Sequence, residues 1–192
     1  MTFASEIKAR LGAEYKAAVT EHIRNLTKLG NDAIHYAYNK GHARGDARRH
    51  PYRDGKWRHR SYNLHDSFGS AVFMNGAVIQ NSIRVIEGGS KTSGLSKTPD
   101  RQSHKTGREK LLEYFNKAHY GLKRGEIVLV CMVAMYYGGY LEKGVHKGRY
   151  KIQVISAARD FIDKNYKSYV IDKGRTLVKR YAKVLKCERI HE

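Results

Sequence analysis

Cysteine, carboxylates and long apolar runs are scarce in this 192-residue chain. Two cysteines, Cys131 inside an apolar run and Cys187 near the C-terminal end, make no disulfide framework, and a reducing cytosol is the expected compartment. No apolar run approaches the roughly 20 residues that span a bilayer. The first residues also lack a signal-peptide core, so the expectation is a soluble, unexported protein with no membrane contact. Asp and Glu number 18 against 37 Lys and Arg, a formal net charge of +19. Carboxylates this few and scattered do not offer the clustered oxygen ligands that a metal-dependent nuclease requires.

Histidine is plentiful but poorly spaced. None of the ten pairs up as HxxxH, and no CxxC occurs, so a zinc site would need remote residues. His59, His65 and Asp66 are the one set on which a nuclease could be built, although exposed histidines in a basic loop are the commoner case. No Ser-His-Asp or Cys-His signature stands out. Gly89-x4-Gly94 has the glycine spacing of a phosphate loop, yet Leu95-Ser96 stands where Lys-Ser/Thr is needed. The expectation is therefore no enzyme, no metal and no cofactor.

What is abundant is positive charge, and it implies an anionic neighbour: nucleic acid, an acidic protein surface or, as the weakest option, a membrane. Residues 40–60 concentrate it, with eight Lys or Arg against two Asp, 8 − 2 = +6, and no apolar period. Arg44, Arg48, Arg49, Arg53, Lys56, Trp57, Arg58 and Arg60 are the candidate contacts for DNA or a protein partner, since cations interleaved with aromatics suit phosphates and bases. A solvated or protein-docking loop is the commoner reading of the same residues, since basic loops are frequent and the cations here have no fixed spacing.

The chain fits one α+β domain over residues 1–192, carrying flexible basic loops at about 40–60 and 88–107. Residues 2–40 show a helical stripe (Phe3, Ile7, Leu11, Tyr15, Ala18, Val19, Ile23, Leu26, Leu29, Ala33), read as one core helix or two, with a break placed near Gly30-Asn31. Residues 71–86 read as strands around an Asn75-Gly76 hairpin turn. In the second strand Ala77, Ile79, Asn81, Ile83 and Val85 are expected on one face, with Val78, Gln80, Ser82, Arg84 and Ile86 on the other. Arg108 to His119 reads as a short helix. Residues 126–135 read as a strand apolar on both faces, which must be covered on both sides. A long C-terminal helix from Ile152 to about Leu185, interrupted near 172–174, completes the pattern. The sheet is expected to be small, of about three to four strands, mostly antiparallel, with the C-terminal helix packed on it.

Between the apolar strand and that last helix lies Tyr136-Tyr-Gly-Gly-Tyr-Leu-Glu-Lys-Gly144, a glycine-rich corner, and about seventy residues earlier stands Ser61-Tyr-Asn-Leu-His-Asp-Ser-Phe68. Together these resemble the head-to-tail joining, or tail-completion, family of tailed bacteriophages. That family carries a Thr-Gly-Asn-Leu-Arg-x-Ser-like element before its first strands and a Tyr-x-x-Tyr-Val/Leu-Glu-x-Gly-Thr-like element before its C-terminal helix. Asn63, Leu64 and Ser67 match the first; Tyr140, Leu141, Glu142 and Gly144 match the second. Ser61-Tyr62 replaces Thr-Gly, Val145 replaces Thr, and Gly148-Arg-Tyr150 stands where Pro-Phe is usual.

The resemblance implies a structural virion protein without an active site, located in the neck and, during assembly, in the host cytoplasm. It would form a homo-oligomeric ring that joins the portal or adaptor of the DNA-filled head to the tail, with tail-tube or other neck proteins and packaged DNA among the contacts the resemblance allows. The glycine-rich corner would then fix the C-terminal helix against the sheet, with Glu142 either capping that helix or pairing with a basic neighbour.

Overall fold

A computed structural model of the chain describes residues 3–46, 57–59, 63–86, 104–135, 138–143 and 153–171, with backbone alone at 3–8, 10, 41–46, 57–59, 140–141 and 171. It opens with α1, Phe3–Gly41, an unbroken helix of 39 residues and so about 58 Å long. No break occurs at Gly30. A Cβ there would lie 2.6 Å from Leu129 Cδ1 and 2.8 Å from Ser70 Oγ, so this glycine is the notch that lets the helix sit close on the sheet.

After α1 come β1 (His42–Asp46) and β2 (Trp57–His59), whose backbones pair in parallel, His42 with Trp57 and Asp46 with His59. The loop expected over residues 40–60 is thus partly strand. The absence of an apolar period hid it, because a two-stranded ribbon can form from backbone hydrogen bonds alone.

The main sheet is built on β3, Phe68–Met74. Along one edge it pairs antiparallel with β6, Ile127–Val133, over its full length from Phe68–Val133 to Met74–Ile127. Along the other edge lie two short pieces, β4 (Ala77–Val78) and β5 (Arg84–Val85). Asn75 and Gly76 make the hairpin with φ of 53° and 89°, the mirror-image turn that suits strand twist.

The second hairpin strand is not continuous. A 3₁₀ turn at Gln80–Ser82 interrupts it and shifts its parity, so Val78 packs with Ile83 and Val85 on one face while Ile79 and Ile86 turn to the other. This overturns the strict alternation expected from the sequence. Ser82 makes the interruption affordable: its hydroxyl accepts from Val72 N at 2.8 Å and lies 2.6 Å from Ile79 O, replacing ladder bonds the backbone cannot make there.

Both faces of β6 are covered. Leu129, Cys131 and Val133 lie against α1 and against α4, Val154–Tyr166, while Val130, Met132 and Ala134 lie against α2, Gly107–Lys117. Leu26, Leu29, Ile34 and the alanines 33, 37, 157 and 158 fill the first interface; Ala71, Phe73, Leu111 and Phe115 fill the second. The alanines let α1 and α4 approach closely. Burial drives the Cys131 thiol up to about 12, so at neutral pH it is an unreactive core side chain.

Past α4 the chain widens into a π-helical turn, Lys167–Ile171. There the Tyr169 hydroxyl donates to Asp32 Oδ2 at 2.7 Å and Val170 is buried beside Leu26 and Leu29. The interruption expected near 172–174 and the helix expected beyond it lie outside the described residues. No helix among the described residues is long and apolar enough to cross a membrane.

Candidate functional site

The described parts of the two sequence elements, residues 63–68 and 138–143, attach at the same end of the sheet, the first to Ala134 and the second to the first turn of α4. Ser67 closes a 3₁₀ turn, His65–Ser67, its hydroxyl donating to Leu64 O at 2.8 Å. Its carbonyl then accepts from Ala134 N at 3.0 Å, just beyond β6. Leu64 packs with Phe68, Val133, Ile34 and Val154, so the first element, the end of β6 and the first turn of α4 share one apolar cluster. Asn63 reaches the other layer: its Oδ1 accepts from Gly107 N, the first residue of α2, at 3.1 Å.

The second element forms α3, Gly138–Lys143, and delivers Glu142 to the start of α4. Glu142 Oε2 accepts from Ile155 N at 2.8 Å and Oε1 from Ser156 N at 3.1 Å, while the Ser156 hydroxyl also donates to Oε1. A carboxylate on two free amides at a helix N-terminus satisfies donors that have no intrahelical partner and opposes the positive end of the helix dipole. The helix has no cap of its own: Gln153 at the cap position has φ 54°, ψ 50° and makes no side-chain cap bond. Of the two roles left open for Glu142, capping is the one observed.

Three residues were not singled out in the sequence and matter here. Thr106 and Glu109 form a reciprocal capping box on α2, the Thr106 hydroxyl accepting from Glu109 N and the Glu109 carboxylate accepting from Thr106 N at 2.7 Å. The Thr-x-x-Glu spacing is the signal that identifies it. Those bonds hold the Glu109 carboxyl below its usual range, the Thr106 backbone amide being the main cause. Gly107 is the third: a Cβ there would stand 1.8 Å from Asn63 O, so only glycine lets α2 begin against the first element. Thr106 and Gly107, expected in the loop, thus cap and begin α2.

His65 and Asp66 are 3% and 1% exposed, with His65 Nδ1 2.6 Å from Asp66 Oδ1 and the Tyr38 ring edge-on at 4.9 Å. An exposed histidine was expected at 65. Burial between α1 and the sheet end replaces that reading, and a phosphodiester could not reach this imidazole without the turn opening. His59 lies on β2 with its backbone alone described.

Compared with family models, with curated proteins and with solved structures, the chain matches none.

The remaining candidates divide by position. Tyr140 and Leu141 are backbone positions of α3, and Gly144 lies outside the described residues. Arg44 lies on β1 and Trp57 and Arg58 on β2, which the parallel pairing brings side by side along the backbone. Arg48, Arg49, Arg53, Lys56 and Arg60 lie outside the described residues. No three His, Cys, Asp or Glu side chains converge as a metal site among the described residues. As an assembly of groups, the sheet end is a mechanical clasp: its polar atoms are spent on caps and turns that tie three layers together.

Proposed function

We propose that this chain is a structural virion protein of a tailed bacteriophage, a subunit of the neck ring that joins the DNA-filled head to the tail. The observation that supports this most is the clasp. Of the residues that carry the resemblance, Asn63, Leu64, Ser67 and Glu142 each tie one element to another at the same end of the sheet. A rigid core of this kind suits a ring subunit, whose neighbours press on it repeatedly and whose contacts are made by segments outside the core. Self-association, contact with portal or adaptor and tail-tube proteins, and a location in the virion follow from that reading.

A second reading, a non-enzymatic nucleic-acid-binding protein, is favoured by the +19 charge. Light scattering on the purified chain, at low and high salt and with and without DNA, separates the two. The neck reading expects a closed oligomer without DNA that survives high salt. A monomer that gathers only on DNA and disperses in salt, as counterion release requires, would favour the second reading instead.

A further inference from the structure

The first half of α1 is unlike the second. From Ile23 onward the helix is seated on the sheet and α4, but Leu11 and Tyr15, four residues apart on one face, are 56% and 66% exposed. About 30 Å of helix precedes residue 23, and most helical stability in proteins comes from packing an amphipathic face rather than from propensity. The apolar order continues outward through Ile7 and Ala4 and inward to Ala18, all within about 40° of the Leu11 direction at about 100° per residue.

The charge of this segment is balanced. Residues 3–22 hold three acidic residues (Glu6, Glu14, Glu21) and three basic ones (Lys8, Arg10, Lys16), 3 − 3 = 0, in a chain of net +19. Two copies of this segment therefore meet without the net repulsion that the basic stretch 40–60 would impose.

We infer that the first half of α1 is a self-association surface that pairs antiparallel with the same segment of a second copy about a two-fold axis at Leu11. That register sets Leu11 against Leu11, Ile7 against Tyr15 and Ala4 against Ala18, with alanine allowing close approach. It also places the Glu14 position beside the Arg10 position of the other copy, because residues 10 and 14 lie on the same flank of the stripe and a two-fold axis of this kind brings like flanks together. Like charges meet nowhere along the stripe. The inference does not rest on the neck reading: alone, the pair makes a dimer, and with ring contacts it makes two rings joined face to face.

The test is the solution mass of the full-length chain by light scattering across a concentration series. L11E/Y15E halves the mass, from dimer to monomer or from double ring to ring, with circular dichroism still reporting a folded core. R10E alone and E14R alone each weaken the pair, whereas mixing the two variants restores it, since each then meets its complement; a change confined to one chain could not produce that rescue. A mass unchanged in L11E/Y15E, or no recovery on mixing, overturns the inference. A closed ring whose mass ignores all these variants overturns it while leaving the neck reading intact.

Discussion

Two helices of similar length lie on opposite faces of one sheet, and they begin in different ways. α2 carries its cap within its own sequence, Thr106 and Glu109 three residues apart. α4 borrows its cap from Glu142, 13 residues before Ile155. A self-capped helix is specified locally and needs the sheet only for its apolar face. A borrowed cap makes α4 conditional on the corner before it, so the corner and the helix must order together. The difference teaches that the glycine-rich corner is a positioning device, and that the chain places its control over the α1–α4 layer there.

Perturbations that separate these two starts sharpen the comparison. The largest effect is expected from Gly107→Val, whose side chain would strike the Asn63 backbone. Backbone atoms cannot yield as side-chain ends can, so urea unfolding should show a loss of about 3 kcal/mol or more. Glu142→Ala removes both amide bonds and the charge at α4, with an expected loss of about 2 kcal/mol, and Glu142→Gln should recover part of it. Thr106→Ala breaks only the box on α2 and should cost about 1 kcal/mol in the same measurement.

Smaller still is an acid effect on α2. Glu113 bonds Lys105 and Lys117, and these hold its carboxyl down to about 2 from an ordinary 4.5. A depressed carboxyl stabilises the fold above its unfolded value and loses that contribution as protons bind. The stability Glu113 contributes is therefore complete above pH 4.5 and falls away toward pH 2. Both partners are solvent-facing, so salt should shrink the effect, and Glu113→Gln should flatten this part of the pH–stability curve. The smallest change is a gain: Gln153→Gly relieves a left-handed residue at the α4 cap and should add about 0.5 kcal/mol, offset in part by glycine's entropy.

The elements governed by local rules were legible in the sequence. The helical stripe gave α1, the Asn75-Gly76 pair gave the hairpin, and the unbroken apolar run from Ile127 predicted a strand covered on both faces, as found. Features set by distant partners were not. Gly30 reads as a helix breaker by propensity, and only the nearness of Ser70 and Leu129 reveals its role as a notch. The parity shift after Val78 depends on a Ser82 hydroxyl bonding a strand ten residues away. Glu142 could be narrowed to two roles, but choosing between them required knowing where Ile155 and Ser156 lie. The burial of His65 and Asp66 belongs to the same class, because nothing in the local pattern places α1 over them.

The most direct test of the clasp is native-state hydrogen exchange along α4 in Glu142→Ala, set against α2 in Glu109→Ala. Reduced protection throughout α4 in the first variant, with α2 unchanged, and a loss confined to the first turn of α2 in the second are the expected results. Full protection of α4 without Glu142 would contradict the account, since the helix would then be held by packing alone and the corner would have no positioning role.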